Sequence, residues 1–143
     1  MSLVIDAGVA LKLLIAEEDS DSAHRLVASG DALHAPRLMV SEIANVLWRK
    51  SRSGEIERRW VGALAAAVAA MPVRWHADET LAADAVRLAL ALDRPVCDCV
   101  YLALAHRFGA RLVTADSRLA DALASTEHGY MVSALGDVAK THP

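Results

Sequence analysis

The sequence predicts an α/β protein in which helices cover both faces of a central parallel β-sheet. Short apolar runs alternate with longer segments whose apolar residues recur every three or four positions. Strands separated by helices need crossover connections, and such connections build parallel sheets. The 143 residues, of which 55% are hydrophobic and 23% charged, can bury the core of one domain. We therefore expect residues 1–143 to form a single domain.

Five strands are predicted from short apolar runs. The first run, LVI, ends abruptly at Asp6, and the second, ALHAP, ends in proline. The run VRW follows the break at Pro72, and the run in RLVTAD stops before Asp116. The predicted strands are residues 3–5, 32–36, 73–75 and 112–114, and a last one within 129–135.

Helices are predicted between these strands from apolar periodicity and from residues that break helices. Gly30, Gly54, Pro72 and Gly109 each follow a helical pattern and mark its end. A helical segment also follows Asp6. The later predicted helices cover residues 20–29, 37–51, 55–71, 78–93, 98–109 and 117–125.

Several classes of protein are excluded by simple features. The amino terminus has no basic region, Asp6 and Lys12 interrupt its apolar stretch, and residues 61–71 are too few to span a bilayer. We therefore expect a cytoplasmic protein with no membrane segment. Cys97 and Cys99 form no disulfide framework, and the six histidines show no paired ligand spacing. With a net charge of −3, any contact with nucleic acid must come from a local basic patch.

Three aspartates are placed at one edge of the sheet by the topology. Asp6 directly follows the first strand, and Asp116 follows the strand at 112–114 with one residue between. Parallel strands end at the same edge, and Asp98 opens a helix that begins there. Each aspartate alone is explained equally well as a helix N-cap. Three converging carboxylates would repel each other, however, and a divalent cation such as Mg²⁺ between them would relieve that repulsion.

Glu42 is a fourth carboxylate in an informative position. It lies at the border of the apolar face of the helix at 37–51, beside Asn45 and Arg49. A glutamate there must face a partner or a crevice, because burying an unpaired charge is costly. A salt bridge with Arg49, or a side chain that reaches out to solvent, explains it as well.

Three segments together resemble PIN domains, and among these VapC-like toxins most closely. They are LVIDAGVALKLLIAEE, PRLMVSEIANVLWRK and CDCVYLALAHRFGARLVTADSRLADAL, and the resemblance runs from Leu3 to Leu123, nearly the whole chain. The resemblance rests on the order and spacing of the four acidic blocks. It implies a three-layer α/β/α sandwich with a central parallel sheet.

The resemblance also implies an activity: endonucleolytic cleavage of RNA that depends on Mg²⁺ or Mn²⁺, by the toxin of a toxin–antitoxin pair with a VapB-like antitoxin. By that match Asp6, Glu42, Asp98 and Asp116 are the acidic quartet. Asp6, Asp98 and Asp116 would hold the metal, Glu42 would complete its outer shell or orient the attacking water, and Thr114 would assist. One departure is Gly8, where the family usually has serine or threonine.

The candidate RNA contacts are basic residues near these acids, namely Lys12, Arg49, Lys50 and Arg52, with Arg58 and Arg59 across the turn at Gly54. A solvated helix end explains each of them equally well. Trp48 and Trp60 are candidates for aromatic side chains that face a partner, but we expect packing in the core or in a dimer. The apolar helix at 61–71 predicts a homodimer or an antitoxin interface.

Three rival functions follow from the same fold. A phospho-acceptor signalling domain needs an adjacent acidic pair at the end of the first strand, but residues 5 and 7 are Ile and Ala. A dehalogenase-like phosphatase needs a second aspartate at the position of Gly8. A catalytically inactive PIN-like scaffold that only binds RNA or protein stays open as the alternative.

Overall fold

The computed structural model describes the backbone of residues 1–141 and the side chains of residues 1–138. Strands and helices alternate along this part of the chain, as the hydrophobic pattern predicts. The strands are β1 (Ser2–Ile5), β2 (Ala32–Pro36), β3 (Arg74–His76), β4 (Arg111–Thr114) and β5 (Val132–Ala134). The helices are α1 (Ala7–Leu14), α2 (Ser20–Ala28), α3 (Leu38–Arg52), α4 (Arg58–Ala67), α5 (Ala82–Leu92), α6 (Val96–Phe108), α7 (Ser117–Ala124) and α8 (Leu135–Thr141).

The five strands form one sheet in the order β3-β2-β1-β4-β5, and every pair is parallel. The first strand of the sequence is therefore the central strand of the sheet. Its register pairs Ile5 with Val113 of β4, so Asp6 and Thr114 leave the sheet at the same edge. This arrangement confirms the predicted α/β class and its central parallel sheet.

The core lies on both faces of β1 and β4. Leu3, Val4 and Ile5 are 1% exposed or less, and Leu112 and Val113 are fully buried. Strands that are covered on both faces read as continuous apolar runs, which explains why these two strands were visible in the sequence. Among the described residues, no helix is long and apolar enough to cross a membrane.

Some predicted boundaries differ from the structure. The helix predicted for 55–71 begins only at Arg58, because the backbone N–H groups of Glu55 and Ile56 close a turn onto the carbonyl of Lys50. After Ala67 it tightens into a 3₁₀ turn, Val68–Ala70, before Pro72. Helix α8 was not predicted, because its short segment shows little apolar periodicity.

Candidate active site

Asp6 is held by three hydrogen-bond donors where β1 ends. Its Oδ1 accepts from the backbone N–H groups of Val9 at 3.0 Å and Ala115 at 3.4 Å, and its Oδ2 accepts from the hydroxyl of Thr114. The contact with Val9 caps α1, so Asp6 is an N-cap as well as a residue of the cleft described below. Burial raises the pKa of Asp6, the hydrogen bonds oppose that rise, and the charge of Asp116 adds to it.

Thr114 connects Asp6 to Asp116 on the neighbouring strand. Its side chain is fully buried, and its hydroxyl oxygen accepts the backbone N–H of Asp116 at 2.9 Å. The carboxylate of Asp116 caps α7 by accepting from the N–H groups of Arg118 at 2.9 Å and Leu119 at 3.3 Å. The capping explanation therefore also holds for Asp116.

Glu42 lies in the first turns of α3 and faces α6. Its Oε1 accepts a hydrogen bond of 2.5 Å from the hydroxyl of Tyr101, whose side chain is buried. Desolvation raises the pKa of Glu42, the Tyr101 hydrogen bond lowers it, and repulsion from Asp6 and Asp98 raises it further. Its hydrogen-bond partner is therefore Tyr101, and the salt bridge with Arg49 is not formed among the described residues.

Asp98 lies in the first turn of α6, three residues after the N-cap Pro95. Its carboxylate therefore does not cap the helix, unlike those of Asp6 and Asp116. It is 40% exposed, and its Oδ2 lies 3.5 Å from a guanidinium nitrogen of Arg94 in the preceding turn. Of the three aspartates, Asp98 is the one whose position capping does not explain.

A pocket of about 170 Å³ lies between these elements, and we refer to it as the acidic cleft. Three of the four predicted acids line it. Asp116 lies outside the lining, and its charge contributes to the raised pKa of Asp6. The lining residues are Asp6, Ala7, Gly8, Glu42, Asp98, Tyr101, Leu112 and Leu119.

The chemistry of the cleft suits a hard divalent cation. Its polar lining is made of carboxylate oxygens, the ligands that Mg²⁺ and Mn²⁺ prefer, and it holds no thiol or imidazole. Burial is the largest cause of the raised pKa values of Asp6 and Glu42, repulsion from neighbouring carboxylates adds to it, and a bound cation would favour the ionised forms. Within the described part of the chain, no group of three or more such side chains is already arranged to hold an ion. The carboxylates fit a metal in type, and they would have to approach one another to bind it.

Gly8 is constrained by Ala115, the residue that follows β4. A Cβ atom at this position would lie 2.9 Å from the Cβ of Ala115 and 3.5 Å from Oδ1 of Asp6. Ala115 therefore occupies the space that a side chain at position 8 would need. The hydroxyl that the family usually places there has no room unless position 115 changes as well.

Three residues of the site were missed in the sequence. Tyr101 and Arg94 contact the acids directly, and Oδ1 of Asp78 accepts the N–H of Leu38 at 3.0 Å, which caps the helix that carries Glu42. Tyr101 could have been found, because it follows Asp98 by three residues and so shares a helical face with it. Asp78 gave no such signal, since it caps a helix 40 residues away in the sequence.

The predicted basic residues differ in whether they already form ion pairs with carboxylates. Lys12 donates to the carbonyl of Glu18 at 2.7 Å and pairs with Glu17 at 3.2 Å, and its side chain is only 14% exposed. Lys50 pairs with Glu55 at 2.9 Å and with Glu17 at 3.8 Å. Arg49 is exposed and forms no ion pair within the described residues, and Arg52 lies over the ring of Trp48.

Comparison with known proteins assigns the chain to a family. Residues 3–123 match the family model of the PIN domain, so the chain belongs to the PIN-domain family. The curated relatives include ribonuclease VapC3 of Pyrobaculum aerophilum, which is 34% identical over 130 residues, 85% of this chain and 94% of the relative. Ribonuclease VapC3 of Mycobacterium tuberculosis is 32% identical over 120 residues, 84% of this chain and 86% of the relative. These matches confirm the resemblance found in the sequence.

Solved structures show the same fold. A Pyrobaculum aerophilum protein, PAE2754, superposes with a TM-score of 0.70 and 23% identity, covering 99% of this chain and 88% of that chain. VapC20 of Mycobacterium tuberculosis, described as a toxin that cleaves the sarcin-ricin loop, gives a TM-score of 0.66 with 19% identity and coverages of 84% and 94%. A toxin–antitoxin complex from Klebsiella pneumoniae gives 0.61 with 14% identity and coverages of 93% and 97%.

Proposed function

We propose that this chain is an endoribonuclease of the VapC type, the toxin of a toxin–antitoxin pair. The observation that carries the proposal is the convergence of Asp6, Glu42 and Asp98 on one cleft at the carboxyl edge of a PIN-family sheet. The relatives that match most of the chain are ribonucleases by name. An RNA substrate implies that the protein acts in the cytoplasm.

We assign different roles to the acidic residues and to the residues that hold them. Asp6, Asp98 and Asp116 would hold Mg²⁺ or Mn²⁺, which when bound supplies charge neutralisation at the phosphate and activation of water. Asp6 is fixed by its three donors, so its carboxylate is already oriented. Tyr101 holds one oxygen of Glu42 and leaves the other free to orient a water molecule that attacks the phosphodiester. Thr114 keeps Asp6 and Asp116 in a fixed relation.

The set of residues that we propose to contact RNA is smaller than the set predicted from the sequence. Arg49 follows Glu42 by seven residues, two helical turns, so it lies on the same face of α3 and about 10 Å away. Its exposed guanidinium is available for a phosphate on the strand that enters the cleft. Lys12 and Lys50 form ion pairs with carboxylates, so we assign them a structural role.

The partners we propose are a VapB-like antitoxin and a second copy of the chain. No residue of α4 is fully buried within the described structure, and its exposed face carries Gly62, Ala63, Ala66 and Ala67. Small apolar side chains allow another helix to approach closely, which supports a contact between copies there. Light scattering after size exclusion measures this: a mass of one chain at micromolar concentration would contradict the homodimer.

The first experiment is cleavage of total cellular RNA by the purified protein with Mg²⁺ or Mn²⁺. We expect discrete products that disappear with EDTA and with Asp98→Asn. Asp21→Asn, an exposed aspartate on α2 outside the cleft, is the matched control and should cleave normally. If no metal supports cleavage, and Asp98→Asn binds metal as the unaltered chain does, the nuclease proposal is wrong.

The alternative is a PIN-like scaffold that binds RNA or protein without cleaving it. It is favoured by the finding that no three metal-ligating side chains are already grouped among the described residues. A scaffold predicts that divalent ions do not stabilise the protein through Asp6 or Asp98. Thermal unfolding with and without Mn²⁺, in the unaltered chain and in Asp98→Asn, separates the two functions.

A further inference from the structure

The tip of the hairpin formed by α3 and α4 exposes two aromatic rings. Trp48 near the end of α3 is 51% exposed, and Trp60 near the start of α4 is 52% exposed. The sequence predicted both tryptophans in the core or in a dimer, and neither is in the core. We refer to residues 48–60 as the hairpin tip. Large exposed apolar side chains that occur together mark a binding surface more often than isolated ones do.

Each exposed ring is accompanied by an arginine. The guanidinium carbon of Arg52 lies 4.9 Å from the ring centroid of Trp48, and that of Arg59 lies 5.0 Å from the ring centroid of Trp60. Both distances are within the range of a cation–π contact. The contact limits the motion of both side chains, and each pair presents a flat ring beside a positive charge.

The charge of the hairpin tip is opposite to that of the whole chain. It contains five basic and two acidic residues, whereas the chain has a net charge of −3. Lys50 is paired with Glu55, and Arg59 with Glu57 at 2.7 Å. Within the described residues, Arg49, Arg52 and Arg58 form no ion pair with a carboxylate. A surface that combines unpaired arginines with exposed aromatic rings is complementary to a polyanion that carries aromatic groups.

The hairpin tip begins on α3, the helix that also carries Glu42 of the acidic cleft. Trp48 follows Glu42 by six residues, which is about 9 Å along α3. Successive nucleotides of a stacked strand rise about 3.4 Å each, so two to four of them span this distance. Arg49 directly follows Trp48 and lies on the face of α3 that carries Glu42, so its guanidinium can contact a phosphate of the same strand.

We propose that the hairpin tip binds single-stranded RNA beside the cleavage site by stacking unpaired bases on Trp48 and Trp60. This proposal rests on the function proposed above and extends it to the form of the substrate. Base stacking on aromatic rings tolerates any sequence but requires bases that are not paired. The chain should therefore prefer loops and single strands to duplex RNA.

The test measures binding separately from cleavage. A fluorescently labelled 12-nucleotide single-stranded RNA is titrated with the Asp98→Asn protein in Mg²⁺ buffer, and Kd is read from anisotropy. We expect Trp48→Leu and Trp60→Leu each to raise Kd about tenfold, with little change in the salt dependence of binding. Arg49→Gln and Arg52→Gln should instead lower the slope of log Kd against log salt by about one. Duplex RNA of the same length should bind more weakly and be insensitive to the tryptophan changes.

The matched control is Tyr130→Leu, because Tyr130 is 72% exposed and lies outside the hairpin tip. It should leave Kd unchanged. An unchanged Kd in both tryptophan variants would overturn the proposal. If these variants then also had a lower mass in solution than the unaltered chain, the rings would belong to a contact between copies. A second assay follows cleavage by the unaltered chain. If it fails while the tryptophan effect on Kd is present, the nuclease function is wrong but the stacking surface is correct.

Discussion

The hydroxyl of Tyr101 donates a hydrogen bond of 2.5 Å to Oε1 of Glu42, 59 residues earlier in the chain. Tyr101 is 4% exposed, so the bond is shielded from water and fixes the carboxylate against α6. Burial, together with the negative charge of Glu42, raises the pKa of Tyr101 far above its usual range. The hydroxyl therefore keeps its proton and acts as a donor. The position of Glu42 thus depends on the helix that carries Asp98.

Removing this hydroxyl should reduce catalysis more than it reduces stability. Tyr101→Phe releases Glu42 from its only side-chain donor given by the structure, and we expect RNA cleavage to fall about tenfold, the rate equivalent of about 1.4 kcal/mol. The acid limb of the pH–rate profile should also move to higher pH, because the lost hydrogen bond lowered the pKa of Glu42. Tyr130→Phe, at an exposed tyrosine, is the control. An unchanged pH profile in Tyr101→Phe would mean that the tyrosine only packs.

Loss of the Thr114 hydroxyl should affect both strands at the site. Thr114→Val removes the donor to Asp6 and leaves the N–H of Asp116 without its acceptor. We expect the free energy of unfolding to fall by about 1–3 kcal/mol, as measured by urea denaturation, together with a loss of cleavage. Thr114→Ser retains the hydroxyl and should restore most of both. Equal losses in the serine and valine variants would show that the methyl group matters instead.

Gly8 and Ala115 should behave as a coupled pair. Gly8→Ser places a Cβ 2.9 Å from that of Ala115, and we expect destabilisation of about 1–3 kcal/mol from this overlap. Ala115→Gly removes the opposing methyl group and should recover much of the loss in the double variant. A double-mutant cycle in urea measures the coupling. Simple additivity of the two single changes would contradict the steric explanation.

The pH dependence of stability should have opposite signs with and without metal. The pKa values of Asp6 and Glu42 are raised in the folded protein, so above their ordinary pKa the folded state binds more protons than the unfolded state. The metal-free protein should therefore lose stability as pH rises through this window, from about pH 4 upward. Binding of Mn²⁺ requires deprotonated ligands, so its stabilisation should grow over the same range.

Asp6→Asn provides the control for this measurement. An asparagine can accept from Val9 and Ala115 through its oxygen and donate to Thr114 through its nitrogen, so the hydrogen bonds have counterparts. We expect the metal-free variant to be more stable than the unaltered chain at pH 7, with a flatter pH dependence and no response to Mn²⁺. Lower stability at pH 7 would mean that the ionised carboxylate is favourable where it is. Melting temperatures across the pH range decide this.

Lys12 and Arg49 should separate into a structural and a binding residue. Lys12→Met removes contacts to Glu17 and Glu18, and we expect a loss of about 1–2 kcal/mol in stability with an unchanged salt dependence of RNA binding. Arg49→Gln should leave the melting temperature unchanged and lower the salt slope by about one. Anisotropy titrations at several salt concentrations, paired with thermal unfolding, test both. The reverse pattern would restore Lys12 as an RNA contact.

The fold was predictable because its signals are local. The buried strands β1 and β4 appear as continuous apolar runs, and Asp6 and Asp116 follow them directly, so topology alone places both carboxylates at one edge. Glu42 was found from its place on the wheel of a single helix. Tyr101 and Asp78 act across 59 and 40 residues, and no periodicity within one element reports which helix packs against which. The sequence left the surroundings of Trp48 open between the core and a binding surface, because apolar pattern alone does not distinguish a core face from a binding face.

The central place of β1 has a consequence for synthesis of the chain. Asp6 is synthesised before Thr114, which holds it and follows 108 residues later. Until β4 has emerged and paired with β1, the carboxylates have no common edge on which to meet. A nascent or prematurely terminated product that ends before β4 therefore lacks the site, and a cell that makes this protein is exposed to its activity only once β4 has been translated.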